Sequence, residues 1–213
     1  MKYLVDIGNS FAHIYDGKSV EHLPHKEFLE RFSHKELYFI NVKPKLVSLL
    51  KKNPLWHNIA LFYKLDGAYD GMGIDRQVLL AARGDGIYID VGSAITIDKK
   101  LNSSFVGGVI LPGIWKVKQS FAEISSALTL NQLVPLNLQK LPKSNTQETL
   151  SFGIIAPIVA LVEKINQQKL PIFITGGDGA LLAPYLNASY EPNLLFEGME
   201  NIIAKRVKNE NRD

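Results

Sequence analysis

Residues 69–98 read YDGMGIDRQVLLAARGDGIYIDVGSAITID: a glycine-rich turn, a short helix and two strands. The helix opens on Ile74-Asp75-Arg76 and stops at Gly84, a residue that commonly ends helical runs. Gly86 to Asp90 reads as a strand that delivers an acid at its carboxyl end. It turns through Val91-Gly92-Ser93 into a second strand ending at Asp98. Glycine lets backbone come close to a ligand, and an acid at the end of an element is placed to hold a cation or a proton. Such a combination belongs to a site that handles phosphate.

The same device occurs once more, near the N-terminus. VDIGNS at residues 5–10 matches IDVGSA at 89–94: an apolar strand, an aspartate, a glycine, then a hydroxyl or amide side chain. Polyphosphate needs backbone N–H donors at such a turn, and its cation needs the carboxylate. One Asp-x-Gly turn closes many ordinary strands. Two of them, each between strands, imply two similar halves facing one nucleotide, an N-terminal half at 1–84 and a C-terminal half at 85–213. The fold class is therefore α/β.

Composition sets the bounds. With 213 residues, 46% hydrophobic and 21% charged, the chain can bury the core of one large or two small domains. It lacks an apolar run long enough to span a bilayer, and MKYLVDIGNS turns polar too early for a signal peptide. The absence of cysteine removes disulfides, thiol nucleophiles and Cys-based metal sites. A cytoplasmic protein is the economical expectation. The net charge of +3 comes with scattered lysines and no basic stripe interleaved with aromatics, so neither nucleic acid nor membrane is an expected partner.

The remaining segments supply the frame. Lys2–Asp6 and Phe11–Tyr15 read as strands, the second closed by an Asp16-Gly17 hairpin. Asp16-Gly17-Lys18-Ser19 mimics the end of a Walker A loop, but Ala12 stands where the first glycine belongs, and no G-x-G-x-x-G occurs. His22, His25 and His34 lie unevenly spaced in a polar region, as surface histidines do. Lys43–Lys52 has the spacing of a solvated amphipathic helix, and Ile59–Leu65 that of a strand. Phe105–Gly113 reads as a bulged strand, 114–128 as a helix with an apolar stripe, and 133–142 as loop. Ser144-Asn145-Thr146 caps a long helix over about 147–168 that is apolar nearly all round, so a second copy of the chain is expected against it. Pro171–Thr175 forms a strand ending in Gly176-Gly177-Asp178-Gly179, Glu197–Val207 a closing helix, and the charged tail from Lys208 frays.

With these pieces in place, the chain resembles the type III pantothenate kinases of the acetate kinase, sugar kinase, Hsp70 and actin superfamily. Five motifs carry the resemblance in order: Asp6-Ile-Gly-Asn-Ser10, Gly73-Ile-Asp-Arg76, Asp90-Val-Gly-Ser-Ala-Ile-Thr96, Gly107-Gly-Val-Ile-Leu-Pro-Gly113 and Thr175-Gly-Gly177. Serine replaces the commoner threonine at Ser10 and Ser93, keeping the hydroxyl. The resemblance implies two ribonuclease-H-like (actin-like ATPase) domains, each a mixed sheet flanked by helices, with dimerisation helices in the C-terminal half. It implies transfer of the ATP γ-phosphoryl group to the 4′-hydroxyl of pantothenate, the first step towards coenzyme A. Magnesium, a potassium or ammonium ion, and a homodimer come with it.

Position by position, the resemblance gives the ATP phosphates to Asp6, Ile7, Gly8, Asn9, Ser10, Phe11, Ala12 and His13, with magnesium at Asp6. Ser93 also binds ATP. It gives pantothenate to Tyr69, Gly73, Ile74, Asp75, Arg76 and Thr146, the base to Asp75, and the monovalent cation to Asp90; nothing is assigned in 114–142. Phosphoryl transfer rests on alignment and charge stabilisation, so a weak base suffices. The helix dipole is expected to favour an ionised Asp75, while Arg76 meets a carboxylate or the moving phosphoryl group. The plainer alternative makes Asp75 a helix cap and Arg76 half of a surface pair. Two rival functions remain open on the same residues: a non-catalytic nucleotide-binding accessory protein, and a kinase for another small hydroxyl compound.

Overall fold

The computed structural model describes residues 2–210. In chain order the elements are β1 (Tyr3–Ile7), β2 (Ala12–Tyr15), β3 (Val20–Leu23), α1 (His25–Phe32), β4 (Leu37–Asn41), α2 (Val47–Leu50), β5 (Trp56–Asn58), α3 (Ile74–Leu79), β6 (Gly86–Val91), β7 (Ala94–Leu101), β8 (Ser104–Pro112), α4 (Ile114–Ile124), α5 (Thr146–Ile165), β9 (Ile172–Thr175), α6 (Gly179–Leu182), β10 (Ser189–Tyr190) and α7 (Leu194–Glu210). They form two compact units, one of residues up to Gly84 together with those from Asn193, the other Asp85–Pro192.

The first unit carries a five-stranded sheet in the order β3-β2-β1-β4-β5. Strands β1, β2 and β3 are antiparallel neighbours, whereas β4 lies parallel to β1, and β5 parallel to β4. Alternation along β1 feeds two cores. Val5 and Ile7 pack with Phe28 and Phe32 of α1 on one face, and Leu4 packs with Ile40, Val78 of α3, and Phe196 and Met199 of α7 on the other. Full burial of each such side chain contributes about 1.5–3 kcal/mol. The closing helix, placed with the second half on sequence grounds, packs through these residues in the first unit.

The second unit repeats the plan. Its sheet runs β8-β7-β6-β9-β10, with β6, β7 and β8 antiparallel, β9 parallel to β6, and β10 parallel to β9. Ile87, Ile89, Val91, Ile95 and Ile97 form one buried face, covered by Ile154, Ile155, Ile158 and Val162 of α5. Both Asp-x-Gly turns therefore occupy the same topological place, the hairpin after the first strand of their unit.

Several elements depart from expectation. The polar stretch around His25 contains α1, whose apolar positions Phe28 and Phe32 recur at helical spacing among charges. Strand β4, which lies between β1 and β5 in the first sheet, follows it. Residues 59–65 are not a strand: β5 ends at Asn58, whose side chain accepts a hydrogen bond from Ala60 N at 3.0 Å and starts a 3₁₀ turn over Ile59–Leu61. Lys43–Lys52 splits into a 3₁₀ turn at Pro44–Leu46 and the four-residue α2. Helix α3 stops at Leu79, short of Gly84. Residues 211–213 of the expected fraying tail lie outside those described, while α7 runs to Glu210.

Candidate functional site

Strand β1, the middle strand of the first sheet, carries Asp6 near its carboxyl end. Period-two alternation puts Leu4 and Asp6 on one face, and Leu4 packs with Val78 of α3. Asp6 thus stands at the carboxyl end of its strand on the face that α3 covers. The turn beyond it is closed by Gly8 N donating to Phe11 O at 3.0 Å. Ile7 and Ala12 point into the core, so they offer a ligand backbone only, whereas Asn9 and Ser10 are exposed. His13 is the cross-strand partner of Asp6. Its Nδ1 lies 2.5 Å from that of His22, so no more than one of these two nitrogens carries a proton. Burial, and then the neighbouring His22 and His25 rings, hold its pKa below the ordinary value. The Walker-like tip is a hairpin turn, as the sequence indicates: Asp16 Oδ1 accepts from Lys18 N and Ser19 N, both at 2.8 Å.

The loop into α3 forms the second part of the first unit's site. Met72 N donates to Tyr69 O at 3.1 Å. Gln77 ties the loop down, donating to Met72 O at 3.0 Å and accepting from Leu65 N at 3.1 Å. Asp75 folds its carboxylate back over Gly73, where any side chain would collide with it. Burial pushes the Asp75 pKa up and outweighs the opposing backbone N–H and charge of Arg76. This reverses the expectation of a dipole-favoured carboxylate. Helix α3 has six residues, and so short a dipole does not offset desolvation. Arg76 is only 6% exposed, so it is no surface pair. Its Nη1 donates to the Tyr69 hydroxyl at 2.7 Å, and its guanidinium lies 5.9 Å from the centroid of that ring.

In the second unit, Asp90 sits near the end of β6 between two threonines. Thr96 faces it from β7 and Thr175 from β9, so three oxygen-bearing side chains form a row on one face of the sheet. The Thr96 hydroxyl is buried without a hydrogen-bond partner, and Thr175 is only 4% exposed. A row of oxygens with an orphaned hydroxyl fits a monovalent cation or ammonium. Two glycine motifs exist to enclose this turn. Gly176 has φ +89 and lies so close to Asp90 and to the Val91 backbone that a Cβ has no room. Gly113 packs in the same way on the Gly92 and Ser93 carbonyls and donates its N–H to Ser93 O at 3.2 Å. Ser93 itself is exposed.

Thr146 opens α5, behind the N-cap Asn145, whose side chain accepts from Glu148 N at 2.9 Å, a cap that contributes about 1 kcal/mol. It lines a hollow of about 390 Å³ with Leu128, Lys143, Ser144, Asn145 and Leu150. No residue of the Asp90–Ser93 turn lines that hollow. Sequence reasoning missed Thr96 and Thr175 as neighbours of Asp90, because strand register brings them there. It also missed His25 and Lys43, both of which reach the Gly8–Asn9 turn. Among the described residues, no group of three His, Cys, Asp or Glu is disposed to hold a metal.

Comparison with known proteins gives a consistent result. Residues 39–168 match the family model of the type III pantothenate kinases. The type III pantothenate kinase of Campylobacter hominis is 39% identical over 206 residues, covering 95% of this chain and 98% of the relative. A crystal structure from Campylobacter jejuni, described as a Baf family transcriptional activator, superposes with a TM-score of 0.85 at 37% identity, over 97% of this chain and 99% of the other. The ethanolamine utilization protein EutJ of Carboxydothermus hydrogenoformans shares the fold alone, with a TM-score of 0.51 at 10% identity over 92% of this chain and 88% of that one.

Proposed function

The chain belongs to the type III pantothenate kinase family, and from that premise we propose how its residues divide the work of an ATP-dependent pantothenate kinase with the actin-like ATPase fold. The observation that carries the division is the Asp75 carboxyl in the first turn of α3, half-buried and folded back over Gly73, beside Arg76, which is only 6% exposed. A raised pKa makes a carboxylate a better proton acceptor at neutral pH. Asp75 takes the proton of the pantothenate 4′-hydroxyl as that oxygen bonds to the γ-phosphorus. The bond from phosphorus to the bridging oxygen breaks, and ADP leaves with its electron pair. Arg76, steered by Tyr69, meets pantothenate's carboxylate or the moving phosphoryl group, with Gly73 and Ile74 supplying backbone beside it. Thr146 contacts pantothenate through its exposed hydroxyl.

The Asp6–His13 segment and Ser93 hold ATP, as donors on exposed turns suit phosphate. Asp6 is the residue that would hold magnesium, which would supply positive charge against the ATP phosphates. The Asp90, Thr96 and Thr175 row would hold potassium or ammonium, which would supply a positive charge beside the Asp90 turn. A homodimer is supported by the exposed Val106, Ile110, Trp115 and Ile124, which a single copy leaves in water. We place the enzyme in the cytoplasm; among the described residues no helix is long and apolar enough to cross a membrane.

A non-catalytic accessory protein has no need of a buried carboxyl with a raised pKa, so that alternative is disfavoured. The test is ADP release with pantothenate, sugars or acetate as acceptor, with and without potassium. Potassium-dependent turnover with pantothenate alone is expected. Turnover that prefers a sugar or acetate, or none with any acceptor, overturns the assignment.

A further inference from the structure

We infer that Lys43 and His25 are positioning residues for ATP, a brace behind the Asp6–Ser10 turn that sets the direction of the Asn9 and Ser10 peptide N–H groups. The inference rests on the assignment of that turn to the nucleotide phosphates. It begins with β4, whose parallel register sets Asn41 opposite Ile7 and lets Val42 N donate to Ile7 O at 3.1 Å. The chain therefore leaves β4 beside the turn. The Asn41 side chain clamps the next step, accepting from Lys43 N and donating to Lys43 O, both at 3.1 Å. Pro44 follows, which holds Lys43 in extended backbone at φ −102 and ψ 99.

From that fixed base, Lys43 Nζ donates to Asn9 O at 3.1 Å and bonds His25 Nδ1 at 3.2 Å. An ammonium only donates, so His25 Nδ1 is the acceptor and the imidazole carries its proton on Nε2. That Nε2–H donates to Gly8 O at 3.0 Å. The carbonyls of two successive peptides are thus held by one Lys43–His25 unit.

A trans peptide is planar, and its C=O and N–H point in opposite directions. Holding Gly8 O fixes the Asn9 N–H, and holding Asn9 O fixes the Ser10 N–H, each turned away from the brace. Both residues are exposed, and among the described residues neither N–H has a protein acceptor. Two pre-aimed donors on an exposed turn are what a phosphate oxygen needs, at no reorganisation cost when it arrives. Lys43 has no carboxylate partner among the described residues, so it also leaves an uncompensated positive charge behind the turn.

The test is calorimetric binding of MgATP, with steady-state kinetics beside it. Lys43→Met and His25→Leu are each expected to weaken MgATP binding about tenfold, the scale of losing a charge-assisted hydrogen bond, with the pantothenate KM within about twofold of wild type. Lys43→Arg and His25→Gln keep the donors and are expected to recover most of the affinity, a rescue that a merely structural role does not predict. The double variant Lys43→Met/His25→Leu is expected to be no worse than either single one, because the two act as one unit. Full affinity in both single variants, or additive losses in the double, overturns the brace while leaving the kinase assignment intact. A wild-type protein that does not bind MgATP overturns both.

Discussion

Arg76 and Tyr69 are joined by a hydrogen bond of 2.7 Å from the guanidinium to the phenol, and the arginine is almost wholly buried. A bond to a charged group contributes about 1.5–3 kcal/mol, and here it aims a cation that the backbone alone leaves free to swing. Tyr69→Phe keeps the ring beneath the guanidinium and removes only the hydroxyl. The pantothenate KM is expected to rise about tenfold with kcat and the ATP KM little changed. An equal fall in kcat, or a loss confined to ATP, contradicts this division of labour.

Desolvation at Asp75 carries a stability cost with a definite pH sign. Its folded pKa stands above the ordinary 3.8, so the native state binds that proton more readily than the unfolded chain does. The stabilisation this gives is full below the unfolded value and is lost as pH rises through the folded one. As the pH rises through the folded value the wild-type protein takes on a desolvated charge that Asp75→Asn lacks, so the variant is expected to melt a few degrees higher on the alkaline side. The gain should shrink as the pH is lowered towards the ordinary carboxylate range. Thermal melts that show a constant difference, or a variant less stable at alkaline pH, assign the raised pKa to something other than burial.

The oxygen row around Asp90 predicts a cation effect separable from chemistry. Thr96→Val removes the orphaned buried hydroxyl, and Thr175→Val its counterpart on the other flank. Both are expected to raise the potassium concentration needed for half-maximal activation, by about tenfold if each hydroxyl is a direct ligand. An unchanged potassium titration in both variants removes the cation from this row.

Gly176 is where the motif is most plainly steric. Alanine there meets an unfavourable positive φ and overlaps Asp90 and Val91. The combined cost is about 3 kcal/mol or more, to be read as a large fall in melting temperature. A Gly176→Ala variant within a degree of wild type contradicts the close packing.

Much of this was legible in the residues, for physical reasons that differ by element. The acid-tipped strands β1 and β6 announce themselves because alternation, a terminal aspartate and glycine all occur within a few positions. The cap at Asn145 is legible for the same local reason, its side chain bonding the third residue beyond it. Strand β4 was hidden, since LYFIN carries no turn signal of its own and follows a charged helix. The ionisation of Asp75 was misjudged because burial is a property of the packed chain, while the helix start is visible locally. Thr96 and Thr175 reach Asp90 through sheet register, while His25 on α1 and Lys43 just past β4 reach their turn through side-chain bonds that span 17 and 34 positions.

Whether Asp75 accepts the hydroxyl proton is decided by single-turnover formation of 4′-phosphopantothenate in the Asp75→Asn variant. Turnover is expected to fall by about a hundredfold or more, with MgATP and pantothenate still bound at close to wild-type affinity. Product formed at nearly the wild-type rate contradicts it.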